Sequence, residues 1–132
     1  MRKGYQQLID EARAQIREHA ARDAIALLDD PDVVVVDLRD IRERTREGFI
    51  PGSVHAPRGM LEFWVDPQSP YAKDVFQSGK RFVFYCAGGL RSALAAKAVQ
   101  DMGLAPVCHI AGGYAAWREA DGPTESVEPK SR

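Results

Sequence analysis

Val33-Val34-Val35-Val36 places four β-branched residues in a row, and this run constrains the fold more than any other feature of the chain. Such residues favour extended backbone. A strand that is apolar on both sides must be covered on both faces, which is the situation of a central strand in a parallel sheet. Phe82-Val83-Phe84-Tyr85 has the same character and runs directly into Cys86. Val107 to Ile110 reads as a further strand, with Cys108 as a small core residue. Helical spacing separates these runs. Leu94, Ala95, Ala98, Val99 and Met102 share one face of a helix over 92–102, stopped by Gly103, and 114–120 reads as another helix, closed by Gly122-Pro123. Upstream, 23–28 forms a short helix. Tyr5, Leu8, Ile9, Ala12 and Ile16 form an apolar stripe on a first helix, whose end at 16–19 is either a last helical turn or a short edge strand. Alternating strands and helices predict an α/β fold around a mainly parallel sheet, with ligands beyond the carboxyl ends of the strands. Cys86 stands at such an end.

The 132 residues suit one domain, read as an N-terminal helical extension over 1–19, a main domain over 20–123 and a loose polar tail over 124–132. A formal net charge of −1 disfavours nucleic acid and anionic membranes as partners. The apolar runs are too short to span a bilayer, and the N-terminus lacks the apolar core of a signal peptide. Two cysteines make no disulfide framework, so a cytoplasmic, reducing setting is expected. The histidines His19, His55 and His109 are widely spaced and there is no C-x-x-C, so neither a metal site nor an organic cofactor is expected.

The chemistry concentrates in Cys86-Ala87-Gly88-Gly89-Leu90-Arg91-Ser92. This loop joins a buried strand to a helix start, where unpaired N–H groups and the dipole favour an anion such as a thiolate. Gly88 and Gly89 permit positive φ, so the backbone can curl into a nest of converging amides. Arg91 adds a planar cationic fork suited to an oxyanion, and Ser92 can cap the helix or donate to the same anion.

Four blocks in order resemble the rhodanese family over about residues 20–123: Val36 to Asp40, Ile50 to Ala56, Tyr85 to Ser92 and Gly112 to Trp117. The resemblance implies a five-stranded, mainly parallel sheet flanked by helices on both faces. It also implies a Cys86 persulfide that carries sulfane sulfur from thiosulfate or a persulfide to a thiol or cyanide. The partners implied are a small sulfur anion or thiol, or a sulfur-accepting protein, with the chain as monomer or homodimer. Two other readings compete with this one. In the first, the fold serves a non-catalytic binding or sulfur-sensing role. In the second, the chain is a cysteine-based phosphatase or arsenate reductase. Phosphatases of related fold look like Cys, five residues, then Arg; here four residues separate Cys86 from Arg91, which favours sulfur. Ala87 leaves Arg91 as the loop's one cation, and Leu90 puts an apolar group at the rim.

Elsewhere, Asp37 and Arg39 are read as structural support that organises the loop ends by ion pairing, with Glu43 or Glu47 as candidate partners. His55 is assigned to packing or capping. Arg58 and Trp64 are candidate pocket-rim residues, Trp64 with Phe63 and Tyr71 in a lid or a packed loop. Trp117 is read as a core anchor, and the N-terminal stripe is expected to pack within its own chain.

Overall fold

The computed structural model describes residues 1–127. Five parallel strands form one sheet in the order β1-β5-β4-β2-β3: β1 (Arg17–His19), β2 (Val33–Asp37), β3 (Val54–His55), β4 (Arg81–Tyr85) and β5 (Val107–Ile110). The two runs that are apolar on every side, β2 and β4, pair in the middle over five residues, Val33 opposite Arg81 through Asp37 opposite Tyr85. The sheet is parallel throughout, and its edges are the two strands without an apolar run. β1 settles the ambiguity at 16–19 as a strand: Arg17, Glu18 and His19 align with Cys108, His109 and Ile110. A boundary after residue 19 therefore cuts off the sheet's own edge.

The helices are α1 (Tyr5–Gln15), α2 (Ala21–Ile25), α3 (Ile41–Glu47), α4 (Leu61–Val65), α5 (Leu90–Met102) and α6 (Gly113–Glu119). On one face of the sheet Val36, Phe82, Phe84 and Val107 pack with Leu61, Phe76 and the α5 residues Ala95, Ala96 and Val99. On the other, Val35, Val83, Tyr85, Cys108 and Ile110 meet Ala21 and Ala24 of α2 and Tyr114 and Trp117 of α6. Trp117 is the expected anchor, fully buried, with its indole N–H donating to the Pro123 carbonyl. The α1 stripe packs within the chain: Ile9 and Ala12 close on Ala93 of α5. Tyr5 and Leu8, assigned to the same stripe, remain exposed.

Of the segment read as a loose tail, residues 124–127 are described, and Glu125 exchanges both backbone hydrogen bonds with Phe49. The rest of that segment, 128–132, lies outside the described residues. No helix among the described residues is long and apolar enough to cross a membrane.

Candidate active site

Cys86 follows the last residue of β4, and the residue is 1 % exposed. Its sulfur accepts hydrogen bonds from the backbone N–H of Gly89 (3.2 Å) and of Ser92 (3.3 Å), and the Ser92 hydroxyl lies 3.5 Å away. These donors are available because α5 begins at Leu90, so the amides of its first turn have no partner inside the helix. The helix starts two residues before the expected position. Ser92 is thus inside the first turn, and its hydroxyl turns to the sulfur and to His109 rather than capping the helix end.

The loop is held from behind by α6. The N–H groups of Tyr114 and Ala115 donate to the carbonyls of Cys86 (2.8 Å) and Ala87 (3.1 Å). Free amides of one helix start thereby fix the carbonyl side of the loop, leaving its amide side for the sulfur. The approach is so close that a Cβ on Gly113 would sit 2.5 Å from the Cys86 carbonyl oxygen, and the residue has φ +60°. Of the two loop glycines expected to adopt positive φ, only Gly89 does so, at +97°; Gly88 has open space around it and no such requirement.

Arg91, the loop's one cation, is already paired. Its Nη1 and Nη2 donate to the two carboxylate oxygens of Glu43 at 2.7 and 3.0 Å. This pairing holds the Arg91 guanidinium above its ordinary value and the Glu43 carboxyl below its own. Glu43 also accepts from the Asp40 N–H in a capping box that starts α3. Sequence reasoning missed this helix and its box, for which Asp40-x-x-Glu43 was the available signal. Arg91 acts here as a strut between the loop and α3, with its charge already matched.

Below the loop, Asp37 and Arg39 pair with each other, both fully buried. Arg39 Nε and Nη2 bind the two Asp37 oxygens at 3.0 and 2.9 Å, and Arg44 and the Tyr85 hydroxyl add bonds of 3.1 and 2.9 Å. Arg44, rather than Glu43 or Glu47, completes this network. Burial works against the Asp37 carboxylate, but its hydrogen bonds from Arg39 and Tyr85 prevail and hold it below its usual range. Burial, then the Asp37 charge, pushes Tyr85 up to about 12. Arg39 lies over the Tyr114 ring at 4.3 Å, and its Nη1 has no hydrogen-bond partner among the described residues. His55 bonds the Arg39 carbonyl oxygen at 2.6 Å, a packing role as expected.

The remaining rim candidates divide. Leu90 is 52 % exposed and borders a cleft of about 150 Å³ between α1 and the loop, which Arg13, Glu18, Gly88, His109 and Gly112 also line. Arg58 and Trp64 do not line it. Arg58 pairs with Glu62, while Trp64 packs on the core beneath Lys73. Phe63 and Tyr71 meet edge to face and are exposed, forming a packed loop surface. Cys108 is buried among the α2 and α6 side chains, and burial pushes its thiol up to about 11.

Sequence reasoning missed His109 and Glu18. The Ser92 hydroxyl lies 2.8 Å from His109 Nδ1, and His109 Nε2 lies 2.7 Å from Glu18 Oε2. Arg13 in turn donates to Glu18 through Nε and Nη2. The available signal was a histidine at an inward position of a buried strand, which must find partners.

A rhodanese-like domain profile matches residues 20–120. The chain is 33% identical over 104 residues to a tRNA uridine(34) hydroxylase of Synechococcus sp. (strain CC9605), covering 76% of this chain and 31% of that protein. It is 30% identical over 101 residues to thiosulfate sulfurtransferase/rhodanese-like domain-containing protein 3 of Mus musculus, covering 73% and 64%. The chain therefore spans about a third of the first relative and just under two thirds of the second. Among solved structures, a protein of unknown function from Rhodopseudomonas palustris CGA009, described as a possible tyrosine phosphatase, is 61% identical with a TM-score of 0.92, over 95% of this chain and 96% of that one. The polysulfide-sulfur transferase homodimer of Wolinella succinogenes is 26% identical with a TM-score of 0.70, over 93% and 88%.

Proposed function

Because the chain belongs to the rhodanese-like domain family, we propose that it transfers sulfane sulfur through a persulfide on Cys86. The observation that carries this reading is the cradle itself: a sulfur at a strand end, held by the Gly89 and Ser92 amides at the start of a 13-residue helix. In the first half-reaction the Cys86 thiolate attacks the outer sulfur of a donor. The donor's sulfur–sulfur bond breaks, and its inner sulfur leaves with the electron pair, as sulfite from thiosulfate or as a thiolate from a persulfide. In the second, a thiol or cyanide attacks the terminal sulfur of Cys86–S–S⁻ and releases the Cys86 thiolate. Oriented amides lower the cost of the charge on sulfur in both steps, and splitting the transfer in two divides the barrier.

The Arg91–Glu43 pair favours persulfide or polysulfide donors over thiosulfate, since the loop's one guanidinium is already occupied and a sulfonate gains little from it. The same pair and the four-residue spacing from Cys86 to Arg91 count against phosphate ester hydrolysis, where a free arginine must clamp the phosphoryl oxygens. The test is turnover with polysulfide and with thiosulfate as donors and cyanide or a dithiol as acceptor, alongside hydrolysis of an aryl phosphate. The reading expects sulfur transfer, faster from polysulfide and lost in Cys86→Ser. Phosphate hydrolysis without sulfur transfer would reject it.

A further inference from the structure

We propose that His109, held by Glu18, is the base that takes the Cys86 proton through the Ser92 hydroxyl, so that the cysteine works as a thiolate paired with an imidazolium. This rests on the reading of Cys86 as the sulfur-carrying nucleophile. The contacts run without a gap: Cys86 Sγ to Ser92 Oγ at 3.5 Å, Ser92 Oγ to His109 Nδ1 at 2.8 Å, and His109 Nε2 to Glu18 Oε2 at 2.7 Å.

A carboxylate accepts only, so Glu18 fixes the proton of neutral His109 on Nε2 and leaves Nδ1 as an acceptor. The Ser92 hydroxyl then donates to Nδ1 and offers a lone pair to the thiol. Transfer moves two protons in one direction: the S–H proton to Ser92 Oγ, and the Ser92 proton to Nδ1. The products are a thiolate that receives the Ser92 hydroxyl and the Gly89 and Ser92 amides, and an imidazolium whose Nε2–H faces Glu18. No bond other than these O–H, N–H and S–H bonds changes.

The groups facing His109 suit this role. Glu18 comes from β1, Arg13 from α1 and Ser92 from α5, with Cys86 beyond Ser92; the β4 residue in register, Phe84, is apolar. Burial pulls His109 below its ordinary value while its hydrogen bond to Glu18 pulls the other way, so its imidazolium depends on the Cys86 thiolate formed with it. Burial opposes the charge on Glu18 too, yet its bonds from Arg13 and His109 hold its carboxyl below the usual range. His109 and Glu18 also border the cleft between α1 and the loop. Glu18 and Arg13 lie outside the residues that match the family, so the N-terminal segment completes a site whose other parts the domain supplies.

The ultraviolet thiolate band, taken as the difference from Cys86→Ser, reads the pair without any sulfur donor; Cys108, pushed up to about 11, stays a thiol at neutral pH. Ser92→Ala and His109→Gln are expected to lower the neutral-pH thiolate fraction and the rate of Cys86 alkylation by iodoacetamide about tenfold or more, with the pH profile displaced to the alkaline side. The two losses are not additive in the double variant, and Ser92→Thr restores the parent behaviour. Nitrogen chemical shifts of His109 are expected to show an imidazolium in the parent and the neutral Nε2–H form in Cys86→Ser. Unchanged thiolate absorbance in both Ser92→Ala and His109→Gln overturns the proposal, and Ser92→Ala alone decides it should His109→Gln fail to fold. A relay without any persulfide on Cys86 would instead reject the sulfur-transfer reading.

Discussion

Five donors converge on the Asp37 carboxylate: the Arg39 N–H, Nε and Nη2, Arg44 Nη1 and the Tyr85 hydroxyl. Removing the charge leaves two guanidinium groups short of their partner, one of them fully buried. Breaking a buried pair in this way costs about 3–5 kcal/mol, so Asp37→Asn is expected to lower urea-unfolding stability by that order at neutral pH. The sign of the pH dependence follows from the depressed folded value. Asp37 contributes its full stabilisation above its ordinary 3.8 and loses it as pH falls below that toward the folded value. The gap between parent and Asp37→Asn should therefore close in acid; a gap that stays constant from neutral pH to well below 3.8 contradicts the assignment. Cys108 gives a simpler expectation at the same scale. A buried thiol pushed up to about 11 stays protonated at neutral pH, so Cys108→Ala should leave sulfur loading of the protein unchanged by mass spectrometry.

Among the elements, the starts of α5 and α6 divide the work on the loop between them, one giving amides to the sulfur and the other to the carbonyls of Cys86 and Ala87. Gly113→Ala puts a methyl against the Cys86 carbonyl oxygen at a φ of +60°. It is expected to cost upwards of about 2 kcal/mol and to slow sulfur loading of Cys86. Gly88→Ala meets open space and should be near neutral in both thermal unfolding and loading. Equal effects from the two would show that the loop is not fixed from the α6 side. These elements also mark what a sequence reveals. β2 and β4 declare themselves because they are apolar on every side, and the loop because its cysteine, glycines and arginine are contiguous. β1 does not: Arg17-Glu18-His19 carries no apolar pattern, and its extended state comes from pairing with β5. The Arg91–Glu43 and His109–Glu18 contacts join residues 48 and 91 positions apart, a relation set by the order of strands in the sheet and not by local spacing. Motif reading therefore located the cysteine and its amide cradle, and it did not reveal that Arg91 is paired with Glu43.

At the scale of the molecule, α1 is part of the body of the domain. Ile9 is 3 % exposed against Ala12 and Ala93, Gln100 Nε2 donates to the Gln15 carbonyl, and Arg13 reaches Glu18. Ile9→Ala is expected to destabilise the whole domain by about 2–4 kcal/mol in a single transition. A separate early transition for the N-terminal segment would instead mark α1 as an appendage. The helix also roofs the cleft beside the loop, so the same change is expected to raise the access of iodoacetamide to Cys86. The persulfide itself is the most direct measure of the whole account. Intact mass after incubation with polysulfide should show a gain of one sulfur atom, mapped by peptide analysis to Cys86, absent from Cys86→Ser and removed by cyanide. A stable adduct on Cys108, or none on either cysteine, would contradict it.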